Sequence, residues 1–267
     1  MYSKYQLAKK FIRYYLHASN SKGHGVHSPF VFDFIKHVLN DVTPYPEYNK
    51  VESLRKELLQ DNTLLSIHDL GAGSLAGGTQ KSISSIARQV VKSKRLAHLL
   101  FRIVRYYQSQ TILEMGTSLG ITSSYLALAN PHASLTTLEG SEEIAGVARK
   151  NFSTLSLSNI ELITGGFDTT LPAILQRMDT VDLAFIDGNH AKEPTLHYFK
   201  LLLQKINASS ILIFDDIHWS PGMEEAWSLI KTDPSVRLSI DLFFLGIVFF
   251  REEFKVKQHF VVRYGPD

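Results

Sequence analysis

TILEMGTSLG, residues Thr111 to Gly120, decides the fold. An apolar pair, Ile112 and Leu113, runs into an acid, Glu114, then a turn bracketed by Gly116 and Gly120, then a helix-like run from Ile121 to Ala129. A strand that passes through a side-chain-poor turn into a helix points backbone N–H groups outward at the helix start, where they bind a polar or anionic cofactor group. The stretch therefore reads as the first unit of a nucleotide-type binding sheet.

Toward the C-terminus the alternation continues. Strand-like runs at Leu135 to Glu139, Ile160 to Thr164, Val181 to Asp187 and Ser210 to Asp215 are followed by helical runs at Ser141 to Asn151, Leu171 to Arg177, Pro194 to Lys205 and Met223 to Lys231. Such alternation predicts an α/β fold with a parallel sheet covered on both faces. The end breaks the rhythm. Ser239 to Arg251 and Lys257 to Tyr264 are strand-like runs separated by a short charged turn, and we expect them to pair as an antiparallel hairpin.

Toward the N-terminus, an amphipathic helix over Arg95 to Tyr107 leads into Thr111 and continues a helical tract from Lys81. Before it lies IHDLGAGS, residues 67 to 74, a rival glycine loop. Its flank TLLSI is a short strand at best and no second strand ending in an acid follows. With Gly71, Gly73, Gly77 and Gly78 it reads instead as a segment that covers the site. Residues 49 to 60 are helical, and Pro44 and Pro46 mark a break. In GHGVHSPFVFDFI, residues 23 to 35, Ser28 and Pro29 open a helix as cap and first residue. His24 and His27 precede it as loop histidines. Residues 2 to 18 set Tyr5, Phe11, Ile12, Tyr15 and Leu16 at approximate helical spacing with Lys4, Lys9, Lys10 and Arg13 elsewhere. This predicts a helix packed on the main domain or on a second subunit, with a membrane surface as the other reading.

Composition sets the class. At 267 residues, with 44% hydrophobic and 20% charged, the chain is an ordinary globular protein with a sizeable core. A net charge of +2 gives no nucleic-acid signal. The absence of cysteine removes disulfides, zinc-thiolate sites and cysteine nucleophiles. The most apolar run, Ile240 to Phe250, is 11 residues, against the roughly 20 a membrane helix needs. No secretion signal is evident, so a cytoplasmic protein without a membrane partner is expected.

In an open parallel sheet, ligands bind beyond the carboxyl ends of the strands. Acids collect there: Glu114, Glu139, Asp187, and the pair Asp215 and Asp216 each close an apolar run. Glu139 lies some 20 residues beyond the glycine turn, where an acid accepts both hydroxyls of a ribose. Asp187, Asp215 and Asp216 offer hard oxygen ligands from neighbouring strand ends, which suits Mg²⁺ or another divalent cation. His190 and His218 titrate near neutrality and are candidates for a base, with His190 preferred and Lys192 close by.

The runs LEMGTSLGITSSYLA, TLEG, ITGGF, FIDGNH and ILIFDDIHW resemble the class I S-adenosylmethionine-dependent methyltransferases, in the branch similar to catechol-type O-methyltransferases. The resemblance covers roughly residues 95 to 267. It implies a Rossmann-like, seven-stranded, mostly parallel sheet with an antiparallel terminal hairpin in residues 95–267. Residues 1–94 form a helical extension or lid that looks like that of a bacterial subgroup. It further implies that Glu114, Gly116, Thr117, Ser118 and Gly120 hold the methionine end of the cofactor, and that Glu139 and Gly140 hold the ribose. Gly166 and Phe167 border the adenine, and Asp187 adjoins the cofactor. Relatives commonly carry an acid where Gly166 stands, and Asp168 is two positions away. In the metal-dependent members the matching ligands are Asp187, Asp215 and Asp216, with a neutral amide in place of Asp216. The catechol-type lysine base is matched approximately by His190, so Asp187 and His190 carry the catalytic roles.

The resemblance implies O-methylation of a small-molecule hydroxyl with S-adenosylmethionine as cofactor. Phe167, Trp219 and Trp227 suit a flat phenolic acceptor, and the aromatic N-terminal helices point to a homodimer surface. Two other classes compete. A nicotinamide-dependent oxidoreductase uses the same kind of sheet, but Gly116 to Gly120 is not a GxGxxG turn. A non-catalytic S-adenosylmethionine- or nucleotide-binding protein would not need Asp187, His190, Asp215 and Asp216. Amino-directed nucleic-acid methyltransferases usually carry Asn/Asp-Pro-Pro-aromatic after strand four, where this chain has DGNH, which leaves a modified-nucleoside hydroxyl as the nucleic-acid alternative.

Overall fold

A computed structural model describes residues 1–19, 27–67, 79–89 and 91–265. In chain order the helices and strands are α1 (Lys4–His17), α2 (Pro29–Phe34), continued by a π-helical turn over Ile35–Leu39, α3 (Pro46–Leu58), β1 (Leu64–Ile67), β2 (Thr79–Ser82), α4 (Ile83–Gln89) and α5 (Lys94–Tyr107). There follow β3 (Thr111–Met115), α6 (Ile121–Ala129), β4 (Ser134–Glu139), α7 (Glu142–Thr154), β5 (Ile160–Thr164) and α8 (Phe167–Arg177). The chain closes with β6 (Leu183–Ile186), α9 (Lys192–Leu202), β7 (Ile211–Asp215), α10 (Pro221–Thr232), β8 (Leu238–Asp241), β9 (Leu245–Phe249) and β10 (Gln258–Val261).

The α/β class is as expected, with eight strands of mostly parallel sheet where the sequence suggested seven. Two compact units divide them. Residues 1–41 and 175–265 form the first, and residues 42–174 form the second. The first 41 residues thus share a unit with the last third of the chain.

The second unit contains β3, β4 and β5 in parallel, with Met115 opposite Leu138 and Glu139 opposite Thr164. The interior of β3 is fully buried, as a strand covered on both faces requires. Gly116 and Thr117 donate their N–H groups to Leu138 O at 2.9 and 3.1 Å, so the turn begins hard against β4. Helix α6, which the turn feeds, is held by α3 and α5. Tyr125 donates to Glu52 at 2.7 Å, His98 lies 3.1 Å from the Tyr125 hydroxyl, and Tyr48 stacks on His98 with ring centroids 3.6 Å apart. Burial holds His98 down to a pKa of about 4, so the stacked ring is neutral. Strands β1 and β2 form a separate antiparallel pair. The helical tract expected from Lys81 is therefore interrupted: β2 occupies its start, because Thr79–Ser82 pairs with Leu64–Ile67. Most of the rival glycine loop, residues 68 to 74, lies outside the described residues, as do His24, Gly77 and Gly78.

The first unit contains β10, β8, β9, β7 and β6 in that order. Strands β6 and β7 are parallel, β9 is antiparallel to both β7 and β8, and β10 is parallel to β8. The expected antiparallel hairpin between the two last runs does not form: the antiparallel pair is β8 with β9, both from the single run expected as one strand, and β10 is the edge of the sheet. The run turns at Leu242 to Phe244, and the last strand adds beside β8 in parallel. The turn carries no Asn-Gly or Asp-Gly signal. It is made by Asp241, whose Oδ1 accepts the Phe243 N–H at 2.9 Å while Phe243 takes φ 69°. Asp241 Oδ2 accepts the Trp227 indole N–H at 3.0 Å, which ties the hairpin to α10. Gly246 gives Trp227 its place, since a Cβ there would stand 2.7 Å from the indole ring.

Helix α1 opens with the Ser3–Gln6 capping box and lays Leu7, Phe11, Tyr14 and Ala18 against Phe243 and Phe244. Tyr14 is pinned further, donating to Val262 O and accepting the Tyr264 N–H. Pro29 begins α2 as expected, but Ser28 is buried and makes no side-chain cap bond. Asp241→Ala is expected to cost roughly 3 kcal/mol in denaturant unfolding, because it leaves a buried indole N–H and a turn N–H without acceptors. Ser239→Ala on the same strand, measured alongside, should cost less than half as much.

Candidate functional site

The expected cofactor turn lies in the second unit. Gly116, Ser118 and Gly120 have φ of 104°, 49° and 78°, so three of five residues occupy the left-handed region. Left-handed backbone of this kind turns successive N–H groups toward one concavity. Gly120 cannot carry a side chain, since its Cβ would stand 2.5 Å from the Phe152 ring. Glu139 at the end of β4 reaches over the turn. It accepts the Ser118 N–H at 2.8 Å on one oxygen and the Ser141 N–H at 3.0 Å on the other. A carboxylate has about four acceptor positions, so two such bonds orient it without saturating it. Gly140 follows, half-buried. Beyond β5, Gly165 takes φ 138°, and at Gly166 a Cβ would meet nothing within 4 Å. The Gly166 carbonyl accepts the N–H groups of Thr169 and Thr170 and so starts α8, with Phe167 half-buried and Asp168 exposed in its first turn.

Glu114 sits deeper than the sequence suggests. Its carboxylate is fully buried and accepts the hydroxyls of Ser123 and Thr137, the latter at 2.7 Å. Thr137 is in turn 2.6 Å from the Thr117 hydroxyl. This chain joins β3, the turn, β4 and α6 through side chains. Burial pushes the Glu114 carboxyl up to about 7, against the lowering effect of the two hydroxyls, and the charge on Glu139 adds to the rise. Glu114 Oε1 and Ser118 Oγ are buried without a hydrogen-bond partner among the described residues. Orphaned polar atoms in a glycine-walled concavity fit a polar ligand group.

The second group of residues lies in the first unit. Ile186 faces Phe214 across β6 and β7, so the next residues, Asp187 and Asp215, leave the strands side by side. His190 joins them from the loop, its Nε2 3.6 Å from Asp187 Oδ1. One ligand atom each of Asp187, His190 and Asp215 lies within 4.8 Å of the others, a spread that suits a divalent cation. Asp216 is not among the three. Its N–H donates to Phe244 O at 2.7 Å, its carbonyl accepts the Trp219 N–H at 2.9 Å, and φ is 53°, so its backbone forms the turn that ends β7. Lys192 is tied to Glu225 at 2.6 Å.

His218 is not placed to act as a base. Nε2 lies 2.9 Å from Asp241 Oδ2 and Nδ1 lies 3.0 Å from Glu224 Oε1, so both ring nitrogens donate to carboxylates. Burial by itself lowers the His218 pKa, but Asp241 and Glu224 outweigh it and the net shift is upward. Glu224 also accepts from Tyr2 at 2.8 Å and Lys10 at 3.0 Å, so the imidazolium belongs to a clasp between the loop after β7 and the start of the chain. Trp227 is a core residue, Trp219 and Phe167 are half-buried, and His27 is exposed.

Three participants were missed from sequence. Asn189 takes φ 58°, donates to the Tyr198 hydroxyl at 3.0 Å, and keeps Oδ1 buried without a partner among the described residues. Its signal was available, since Asn is enriched at left-handed positions and follows a glycine here. Ser123 and Thr137 carried none, because they meet Glu114 only through tertiary packing.

Residues 113–217 match a family described as a methyltransferase domain. Over 80 residues the chain is 34% identical to a tRNA (guanine-N(7)-)-methyltransferase of Mycoplasma mobile, covering 30% of this chain and 40% of that protein. The chain spans about two fifths of the length of the curated relatives it matches. Among solved structures, the SAH-bound methyltransferase PaMTH1 of Podospora anserina superimposes with a TM-score of 0.59 at 14% identity, over 84% of this chain and 97% of that one. An O-methyltransferase of Bacillus cereus in complex with SAH gives 0.53 at 20% identity, over 82% and 97%. At such identities the likeness is one of fold.

Glu114 makes stability pH-dependent with a definite sign. Its ordinary value is 4.5 and its folded value about 7, so between the two the native state holds the proton more firmly than the unfolded chain. Stability falls as pH rises through that window, by about 3 kcal/mol in all. His218, raised in the fold, contributes in the same direction. Denaturant unfolding on either side of the window should therefore show a smaller difference for Glu114→Gln than for the wild type, with the His218 part retained.

Proposed function

We propose, from the match of residues 113–217 to a methyltransferase-domain family, that the chain transfers a methyl group from S-adenosylmethionine to a hydroxyl of a small molecule. The observation that carries the reading is the grouping of Asp187, His190 and Asp215 at the ends of adjacent strands. S-adenosylmethionine supplies a methyl carbon made electrophilic by its sulfonium. Gly116 to Gly120, with Glu114 Oε1 and Ser118 Oγ, suits the methionine end. Glu139 and Gly140 suit the ribose, and the open space at Gly166 suits the adenine edge.

A hydroxyl attacks well only as its proton leaves, and His190 is the group to take it. Its Nε2 faces Asp187, which favours the imidazolium once formed. Asp187 and Asp215 suit a divalent cation, whose charge would lower the pKa of a hydroxyl beside it. The remaining work of methyl transfer is alignment of nucleophile, carbon and sulfur. A second reading has its own observation: three mutually close ligand atoms make His190 a third metal ligand rather than the base. Small aromatic hydroxyl compounds are the acceptor class, favoured by half-buried Trp219 and Phe167.

Calorimetry and turnover separate the parts. Glu139→Ala should weaken S-adenosylhomocysteine binding by about tenfold or more, on the scale of two lost charge-assisted hydrogen bonds. His190→Ala should lower turnover about a hundredfold while cofactor affinity holds. Manganese or magnesium affinity is unchanged in His190→Ala if the histidine is the base, and falls at least tenfold if it is a ligand. Absence of S-adenosylhomocysteine binding by the wild type would overturn the whole reading. Turnover indifferent to chelator would remove the cation from it.

A further inference from the structure

Helix α1 has a second apolar stripe, opposite the one it buries. Leu7, Phe11, Tyr14 and Ala18 pack inward. Tyr5, Ile12 and Leu16 are 78%, 59% and 70% exposed. At about 3.6 residues per turn these three fall within roughly 40° of arc, on the side away from the packed face. Exposed Lys9 and Arg13 border the stripe on one side, and exposed Lys4 lies on the other. About 100° round the helix from Leu16, Tyr15 is 41% exposed with the Arg263 guanidinium 4.5 Å over its ring. The helix contains no acid. None of Lys4, Lys9 and Arg13 has an ion-pair partner among the described residues, whereas Lys10, on the packed side, is paired with Glu224.

We propose that this outer face of α1 docks on an anionic lipid surface, with Tyr5, Ile12 and Leu16 entering the interface and Lys4, Lys9 and Arg13 lying at the headgroups. An apolar stripe flanked by cations is the pattern of helices that lie in the plane of a membrane. The charge arrangement argues against a second copy of the chain, because two such faces brought together would oppose cation to cation with no acid in either helix. Nothing in this depends on the methyl-transfer reading.

The test is sedimentation of the full chain with vesicles of phosphatidylcholine alone, and of phosphatidylcholine and phosphatidylglycerol in equal parts. The chain should pellet with the anionic vesicles at low salt, release at high salt, and ignore the neutral ones. Ile12→Gln with Leu16→Gln should weaken binding about tenfold or more. The pair should leave the melting temperature and helix content unchanged, since the packed face is intact. Lys9→Gln with Arg13→Gln should weaken it and flatten the salt dependence, which keeps the test sharp if the first pair disturbs folding. Failure of the wild type to bind anionic vesicles at low salt overturns the proposal, as does binding indifferent to both pairs. A dimer that Ile12→Gln with Leu16→Gln dissociates assigns the stripe to a second copy. Binding of polyglutamate that needs Ile12 and Leu16 assigns it to an acidic polypeptide. Either result overturns the membrane assignment.

Discussion

Two strands hydrogen-bonded in parallel leave the sheet at the same edge, and the register of the pair decides which side chains leave together. In the first unit Ile186 opposes Phe214, so Asp187 and Asp215 emerge as neighbours. In the second, Met115 opposes Leu138, so the turn at Gly116 starts beside Glu139 and puts the Ser118 N–H on its carboxylate. A slip of one residue in either pair would turn the whole strand over and carry the acid about 3.3 Å along it. Register is held by burial. β6 and β7 are apolar up to Asp215 and β3 is buried from Ile112 to Met115, so a slip would bury Glu114 or Asp215 differently or expose a leucine. The chemistry at the strand ends is thus fixed by hydrophobic packing in the strands that precede it.

Backbone strain gathers at the same edges. Ser118, Asn189 and Asp216 are non-glycine residues with φ of 49°, 58° and 53°, and each lies within three residues of a strand end. Such conformations cost of order 1 kcal/mol or more for residues with a Cβ. They persist because the strands behind them are over-determined. The consequences are concrete: Ser118 presents its N–H to Glu139, Asn189 precedes His190 on its way to Asp187, and Asp216 turns the chain so that Asp215 alone ends in the strand. Burial and strain act together at Glu114, where a carboxyl held near neutral pH lies behind a turn of three left-handed residues.

What was legible in the sequence was local. The glycine turn, the acids Glu139, Asp187 and Asp215 at strand ends, and the alternation from β3 to α10 each declare themselves within a dozen residues. What was illegible depended on partners far along the chain. The turn at Leu242 to Phe244 is hidden inside an unbroken apolar run, because Asp241 makes it with a side-chain bond rather than with glycine. His218 was a base candidate because histidine titrates near neutrality, whereas its contacts with Glu224 and Asp241 tie up both ring nitrogens. Lys81 and Ser82, expected as the start of a helical tract, belong to β2, because Thr79–Ser82 is made a strand by pairing with β1.

The consecutive acids Asp215 and Asp216 show why residue type and position are insufficient to assign a ligand. Successive residues on a strand project to opposite faces, so two adjacent carboxylates cannot both reach the same point unless the backbone bends between them. The chain does bend at Asp216, but the bend is made with its own N–H and carbonyl, in bonds to Phe244 and from Trp219 that serve the turn. The residue whose ligand atom lies within 4.8 Å of those of Asp187 and Asp215 is His190, which follows the Asn189 corner. That exchange of an oxygen for a nitrogen changes the chemistry. A set of three carboxylates is a hard, strongly anionic cage suited to Mg²⁺, while two carboxylates with an imidazole carry one negative charge fewer and suit manganese, iron or zinc better. The same nitrogen has a single lone pair, so it either coordinates or accepts a proton.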